Sequence, residues 1–231
     1  MPQFDFSVVL TGEFRDWLLH GFVLSLQLTA ITWLLALPLG VCIALCRLSA
    51  IPALRWFGAA FVEGVRNVPL LMHFLFWYFA MPELLPAAGR DWLNAQGAET
   101  ICAIIALTLY TSSYMAEDVR SGIRSVPATQ LEAARALGFG FLASMRRIVL
   151  PQAIRITVPP LISQTLSLWK NTSIATVIGT AELMYEAQRV ESASFRGVET
   201  FAVTTVAYLT VSLAITALAI WYQRHFPVRA T

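Results

Sequence analysis

The sequence alternates between long apolar runs and short polar connections. About 20 apolar residues cross the hydrocarbon core of a bilayer as one helix. The runs lack the apolar–polar alternation of barrel strands, and a helix satisfies its own backbone where lipid offers no partner. The pattern predicts an all-α integral membrane protein with about five transmembrane helices: Gly21–Cys46, Trp56–Ala80, Thr100–Ala116, Ile154–Trp169 with a possible short continuation from Ser173, and Phe201–Trp221.

Composition agrees with this pattern. The 231 residues are 57% hydrophobic and 13% charged, with a mean hydropathy of +0.65. Soluble domains carry roughly 25% charged residues, so this chain has too few charges to cover a surface in water. Its formal net charge of +2 is too small for a nucleic-acid-binding protein. The acidic N-terminus lacks the basic segment of a cleavable signal peptide, so the first span is expected to remain in the membrane.

The arginines indicate an orientation, because cytoplasmic loops of membrane proteins carry an excess of Lys and Arg. The arginines cluster in every second connection between the predicted spans, and the other connections hold most of the acidic residues. We therefore predict a periplasmic N-terminus and a cytoplasmic C-terminus, as an odd number of spans requires. The basic residues on the predicted cytoplasmic side are Arg47, Arg55, Arg120, Arg124, Arg135, Arg146, Arg147, Arg155, Arg224 and Arg229.

Three charged residues, Glu63, Arg66 and Lys170, fall within the apolar spans. A charge at this depth is unfavourable unless it is paired or hydrated, and it commonly marks a functional site. Glu63 and Arg66 are three residues apart and share a helix face. They form either an internal ion pair that holds the helices together or part of a polar path through the membrane. Lys170 either lines the same path or pairs with Glu63 or a partner subunit.

The residues after Lys170 suggest a break in the fourth span. Thr172 or Ser173 would cap a helix that begins near Ile174, since hydroxyl side chains accept hydrogen bonds from the first backbone amides of a helix. A broken helix at membrane depth offers free amides and a positive helix end to a carboxylate. The sequence therefore predicts an anion-attracting break at Asn171–Ser173.

The longest polar segment, about 120–152, is predicted to project into the cytoplasm. Within it, Glu132 to Leu137 reads as a short helix of strong helix formers that ends at Gly138. Glu132 is placed in the first turn of this helix, where a carboxylate favours the positive helix end.

This segment resembles the cytoplasmic signature of permease subunits of ABC importers. In that signature, Glu-Ala-Ala is followed after three residues by Gly and, nine residues later, by Ile-x-Leu-Pro; the matching residues are Glu132, Ala133, Ala134, Gly138, Ile148, Leu150 and Pro151. The resemblance implies one transmembrane domain over 1–231, in which a coupling helix between spans three and four docks on a separate ATPase. Thr129 departs from the Gly that is usual before this run.

Further runs resemble the polar amino-acid branch of this family, above all its glutamate/aspartate importers. The runs are Val65–Leu70 with Asn67, Trp77–Tyr78, Pro82–Pro86, Ser113–Ile123, Leu150–Arg155 and Lys170-Asn171-Thr172-Ser173, while Phe4–Phe6 resembles the sister permease of such a system. The resemblance implies a bacterial inner-membrane protein that imports glutamate or aspartate. Its implied partners are two ATPase subunits, a second permease, identical or homologous, and a periplasmic amino-acid-binding protein.

The sequence contains no Gly-x-x-x-x-Gly-Lys-Ser/Thr run, so ATP and Mg²⁺ would bind the partner ATPase and the chain itself would hold no cofactor. Other readings stay open at this point. Glutamine, histidine and arginine are alternative cargoes. An ion-coupled secondary transporter would use Glu63 or Glu117 as its ion site. A membrane enzyme would need a nucleophile–base pair, which the scattered residues His20, His73 and His225 do not supply.

Overall fold

The computed structural model describes residues 4–227, so Arg229 lies outside the described part. Within this range the chain is mostly helical and contains no β-strand. The helices are α1 (Ser7–Leu10), α2 (Gly12–Leu48), α3 (Pro52–Arg66), α4 (Leu70–Leu75), α5 (Ala87–Ala95), α6 (Ala98–Arg124), α7 (Ala128–Ala136), α8 (Phe141–Ser144), α9 (Leu150–Asn171), α10 (Leu183–Ser194) and α11 (Gly197–His225). Short π or 3-10 turns cover Phe76–Ala80, Met81–Leu84, Met145–Val149 and Thr172–Ile178.

Helix α6 lies at the centre of the bundle and contacts α2, α3, α4 and α9. Close packing depends on small residues, as is common between helices in membranes. A Cβ atom added at Gly40 of α2 would lie 3.0 Å from the Met115 Cβ atom and 3.0 Å from the Ser112 carbonyl oxygen on α6. Leu28, Phe74 and other buried apolar side chains extend this core around α6. The central helix is therefore held on several sides.

The outer surface of the bundle is apolar. Among the described residues, two helices, α2 and α11, are long and apolar enough to cross a membrane, and Leu70–Leu84 forms a shorter apolar stretch. Side chains such as Leu34 and Leu213 are more than half exposed on these helices, as lipid contact requires. The predicted third and fourth spans lie within α6 and α9, which carry many Ser, Thr and Gln side chains. The count of five spans stays a prediction.

The predicted second span is not one continuous helix. Helix α3 ends at Arg66, the chain passes through Asn67–Pro69, and α4 begins at Leu70. Proline lacks a backbone N–H and disfavours helical geometry in the residue before it, so Pro69 explains the break. The His73 ring lies 3.0 Å, through Nε2, from the Val65 carbonyl oxygen and bridges the gap. Prolines within α2 and α9 leave those helices continuous.

Candidate functional site

The predicted coupling helix is present but begins earlier than expected. Helix α7 runs over Ala128–Ala136 after Pro127, whose extended backbone precedes the first helical residue. Glu132 is consequently the fifth residue of α7, and the prediction that it lies in the first turn is wrong. The helix starts earlier because proline suits the position just before or at a helix start. The Glu132 side chain is exposed on the middle of the helix.

Gly138 ends α7 as predicted. Its φ of +84° lies in the left-handed region that glycine tolerates best. The Gly138 N–H donates to the Arg135 carbonyl at 2.9 Å, and the Phe139 N–H donates to the Ala134 carbonyl at 3.0 Å. These two bonds form a Schellman motif, which satisfies carbonyl groups at the helix end. Gly138 therefore sets the sharp turn that leads into the second half of the loop.

The remaining signature residues divide between exposed and buried positions. Ala133 is exposed, whereas Ala134 is buried against the loop, where α7 packs on α8 and the turn before α9. Leu150 and Pro151 form the exposed start of α9, where proline is tolerated because the first amides have no helical partner. Ile148 is partly buried one turn earlier. The loop thus presents a surface rather than a cavity.

Three large apolar side chains in the middle of this loop are exposed, which the sequence analysis does not predict. Leu137, Phe141 and Leu142 are 76%, 63% and 79% exposed. We call these three residues the apolar tip. Large exposed apolar side chains that lie close together in the sequence, here with arginines on both sides, are typical of a protein-binding surface. Their position on both sides of Gly138 is the signal in the sequence that indicates them.

The base of the loop is tied to the bundle by a close helix contact. Gly122 of α6 packs against Thr157 of α9, and an added Cβ atom would lie only 1.9 Å from Thr157 Oγ1. The Thr157 hydroxyl donates to the Ala153 carbonyl at 2.8 Å, which fixes its orientation. The helices before and after the loop therefore meet almost without intervening side chains.

A polar cleft of about 310 Å³ opens between α6 and α9. The Tyr110 and Tyr114 hydroxyl oxygens lie 3.1 Å apart on its α6 wall. On the other wall, Gln164, Ser167 and Asn171 follow a three- and four-residue spacing that places them on one helix face. Of the predicted path residues, Asn171 lines this cleft directly. The sequence signals for this cleft are the two tyrosines spaced four residues apart on α6 and the three polar residues at i, i+3 and i+7 on α9.

Arg66 lies against the tyrosine wall of the cleft. Its guanidinium carbon is 4.5 Å from the centroid of the Tyr114 ring, a cation–π contact. Among residues 4–227, no ion pair joins Glu63 to Arg66 or to Lys170. Of the two alternatives for Glu63 and Arg66, the internal ion pair is therefore wrong. Glu63 instead accepts a 3.4 Å hydrogen bond from the Asn67 side chain, and both are exposed.

The predicted helix start after Lys170 is also wrong. Thr172 Oγ1 donates to the Trp169 carbonyl at 2.8 Å, and Ser173 Oγ donates to the Lys170 carbonyl at 2.7 Å. The hydroxyl groups bond backward to the preceding turn, and Asn171 keeps helical backbone angles. The chain tightens into a 3-10 segment without freeing its amides. Lys170 itself is exposed, and Thr172 is buried.

Two acidic residues of α6 extend the polar region beyond the cleft. Glu117 pairs with Arg47 of α2 and, at 2.8 Å, with Arg120. Because Glu117 forms ion pairs with two arginines, it belongs to a structural cluster of charged residues. Asp118 lies one turn after Tyr114 and near Gln164 of the cleft wall, and its Oδ2 atom is buried without a hydrogen-bond partner. Asp118 is therefore a further polar group beside the cleft, and its role is not evident from the sequence alone.

A second network fixes the opposite end of the bundle. The fully buried Glu182 carboxylate caps α10 by accepting hydrogen bonds from the Met184 and Tyr185 amides at 2.9 and 3.0 Å. It also accepts from the Ser25 hydroxyl of α2 at 3.4 Å and from the Tyr208 hydroxyl of α11 at 3.1 Å. These donors satisfy the buried charge, so Glu182 joins three helices.

Comparisons with known proteins agree with this arrangement. Residues 36–230 match the family described as the binding-protein-dependent transport system inner membrane component. A probable glutamine ABC transporter permease of Bacillus subtilis, GlnM, is 38% identical over 197 residues, which cover 85% of this chain and 87% of the relative. The glutamate/aspartate import permease GltJ of Escherichia coli is 32% identical over 206 residues, covering 87% and 84%.

The fold is also that of a solved transporter. A crystal structure of an amino-acid ABC transporter with histidines aligns with a TM-score of 0.85 and 26% identity, over 97% of this chain and 100% of that chain. The coverage includes the loop, the cleft and the outer helices together. The chain therefore belongs to the inner-membrane components of binding-protein-dependent transport systems, as a permease subunit of an amino-acid ABC importer.

Proposed function

We propose that this permease subunit carries an acidic amino acid, glutamate or aspartate, along the cleft between α6 and α9. The observation that carries the proposal is Arg66, whose guanidinium lies against the Tyr114 ring at the cleft wall. The lining residues of the cleft include no carboxylate. A cation beside a neutral polar wall favours anionic cargo, because guanidinium groups bind carboxylates in bidentate geometry.

Asp118 complements Arg66. Every amino-acid cargo carries an ammonium group, and the buried, unpartnered Asp118 Oδ2 atom is suited to accept a hydrogen bond from it. We assign Arg66 to the side-chain carboxylate of the cargo and Asp118 to its ammonium group. Hydroxyl and amide groups on both walls then remain for its α-carboxylate. Glu63, Asn67, Lys170, Thr172 and Ser173 lie outside the lining of the cleft. We assign all of them except the buried Thr172 to its approaches.

Glutamine is the second candidate cargo, favoured by the 38% identity to the probable glutamine permease. The two candidates differ only in the side-chain charge, so Arg66 is the residue to test. Its substitution by Gln is expected to lower glutamate-stimulated ATP turnover of the assembled transporter more than glutamine-stimulated turnover. Arg55→Gln, which removes an exposed arginine from the other end of α3, is the matched control.

The experiment uses the transporter reconstituted with its ATPase and binding protein. Glutamate, glutamine, histidine and arginine are compared as stimulators of ATP turnover. Preferential stimulation by glutamate or aspartate is expected. Preferential stimulation by arginine would exclude acidic cargo. Loss of uptake on collapse of the ion gradient, with ATP intact, would instead indicate ion coupling.

The second part of the proposal concerns the loop. Glu132, Ala133 and Gly138, with Ile148, Leu150 and Pro151, form the surface on which the ATPase docks, and the apolar tip adds buried contact area. The buried Ala134 supports this surface by packing α7 against the rest of the loop. ATP and Mg²⁺ bind that ATPase, while this chain transmits its movement. Leu142→Asp is expected to abolish ATPase assembly, because a charge at a docked apolar position lacks a partner. Leu84→Asp changes an equally exposed leucine outside the loop, and it should assemble normally.

The proposed topology has five spans, with a periplasmic N-terminus and a cytoplasmic C-terminus. Support comes from the arginine distribution and from the cleft, because α6 and α9 need polar faces where they line it. A second permease, identical or homologous, would close the path, and a periplasmic binding protein would deliver cargo. Labelling of single cysteines, in a chain freed of its native cysteines, tests this: position 195 should react from the periplasm, and position 142 from the cytoplasm.

A further inference from the structure

A second cleft lies far from the polar one, between the N-terminal part of α2 and the start of α11. Its volume is about 270 Å³, and apolar side chains dominate its walls. Leu19 and Phe22 come from α2, and Val203 and Ala207 come from α11. Its floor is closed by Val9 and Leu183, which are almost completely buried. The space lies just below the roughly 300–1,000 Å³ of pockets that enclose whole ligands, so it suits part of a chain-like molecule.

The mouth of this cleft opens on the lipid-facing surface. Its long walls are α2 and α11, the two helices of residues 4–227 that are apolar and long enough to cross a membrane. Val206 and Leu209, beside the cleft on α11, are 60% and 52% exposed. In an inner-membrane protein this apolar surface is covered by acyl chains. The cleft is therefore continuous with the lipid phase.

Charged groups mark the rim. Arg15 lines the cleft, and its Nη2 atom lies 2.9 Å from Asp16 Oδ1. Both side chains are more than half exposed, and exposed ion pairs of this kind are weak. A ligand that carries both charges can replace the pair with two contacts. Trp17 follows on the same helix, and indole side chains favour the membrane interface, where headgroups lie.

We propose that this cleft binds one zwitterionic phospholipid that carries a phosphate and a primary ammonium group. One acyl chain occupies the space between Phe22 and Ala207. The phosphate contacts Arg15, which can donate two hydrogen bonds to it, and the ammonium contacts Asp16. The lipid fills the gap between α2 and α11 at one interface of the membrane.

The test uses the purified transporter in nanodiscs of phosphatidylcholine with a trace of phosphatidylethanolamine that bears a diazirine on one acyl chain. After irradiation, mass spectrometry maps the labelled peptides. Labelling is expected to concentrate on residues 15–22 and 203–210 above the lipid-exposed remainder of α11. Labelling that is uniform along α11 would overturn the proposal. This result comes from the unmodified transporter, so it does not depend on whether any variant folds.

Two variants sharpen the test. Ala207→Trp fills the cleft and is expected to lose most of this labelling, whereas Val206→Trp, on the neighbouring outward face, retains it. Arg15→Ala is expected to reduce competition by unlabelled phosphatidylethanolamine. If a free fatty acid competes as well as unlabelled phosphatidylethanolamine, the headgroup contacts are refuted. A cross-link from position 207 to a second copy of the chain would show that a protein, and not a lipid, occupies the cleft. The nanodiscs are symmetrical, so the outcome does not depend on the proposed orientation or cargo.

Discussion

Replacing Gly122 by alanine should weaken the contact between α6 and α9 at the base of the loop. The new Cβ atom would lie 1.9 Å from Thr157 Oγ1, 3.1 Å from Thr157 Cβ and 3.2 Å from the Ala153 carbonyl oxygen. Ordinary van der Waals contact begins at 3.4 Å, so the helices or the threonine must move by about 1.5 Å. Rotation of the threonine alone would break its hydrogen bond to Ala153 and leave a buried hydroxyl unpaired.

Two terms decide the size of the effect. Overpacking of a close contact costs about 1–3 kcal/mol. Alanine in place of a helical glycine contributes about 1 kcal/mol in the opposite direction. We therefore expect Gly122→Ala to lower the free energy of unfolding by about 1 kcal/mol, and by about 2 kcal/mol at most. Gly64 lies within α3 with no atom within 4 Å of an added Cβ, so Gly64→Ala should be neutral or stabilising.

The measurement is the thermal unfolding midpoint of the purified transporter, together with substrate-stimulated ATP turnover. The double variant Gly122→Ala/Thr157→Ala removes the Oγ1 atom that would lie 1.9 Å from the new Cβ atom, and it should recover most of the thermal midpoint. Thr157→Ala alone provides the reference for the cycle. If the Gly122→Ala, Gly64→Ala and double variants all have the same thermal midpoint, the contact at Gly122 does not hold these helices together.

Three further substitutions test the other features. Gly138→Ala forces alanine into a left-handed conformation that costs about 1–2 kcal/mol, so the loop should deform and ATPase assembly, measured by co-purification, should fall. Tyr208→Phe withdraws the 3.1 Å hydrogen bond from the buried Glu182 carboxylate and should lower the thermal midpoint by the equivalent of about 1–3 kcal/mol. Glu117→Gln leaves Arg47 without its acidic partner and should lower the midpoint by a similar amount.

Each of these substitutions has a matched control. Gly64→Ala changes an unconstrained helical glycine and should leave ATPase assembly intact. Tyr222→Phe removes a hydroxyl from the end of α11, and Glu63→Gln neutralises an exposed acid; both should leave the midpoint unchanged. A Tyr208→Phe midpoint equal to that of Tyr222→Phe would show that Glu182 does not depend on this donor. Normal ATPase assembly of Gly138→Ala would show that docking does not depend on the left-handed turn at Gly138.

The sequence was most informative where one residue determines the backbone locally. Gly138 ends α7, because its left-handed turn depends on that residue alone. Pro69 interrupts the second predicted span, although its apolar pattern is that of one run. Helix α7 begins before the predicted start at Glu132, because Pro127 precedes its first residue. Local patterns therefore located the ends of segments better than their beginnings.

The contacts of hydroxyl and charged groups were harder to predict. Thr172 can bond forward, as a helix cap, or backward, to the preceding turn. The structure has the backward bond, since α9 continues into a 3-10 segment that is packed in the bundle. Arg66 had a partner candidate in sequence, Glu63, yet it contacts Tyr114, which is distant in sequence. Such choices depend on neighbouring helices, and one sequence does not reveal their packing.

Helix α6 explains why the loop and the cleft can act together. Tyr110 lines the cleft, Glu117 binds Arg47 of α2, and Gly122 contacts α9 beside the loop. At 1.5 Å per residue, these positions span roughly 18 Å of one helix. A continuous helix of this length moves as a unit, so a displacement at Gly122 also shifts the tyrosine wall relative to α9. Transport by this proposed route therefore requires the Glu117 cluster to move with α6 or to break, and the contact at Gly122 is the point where that movement would begin.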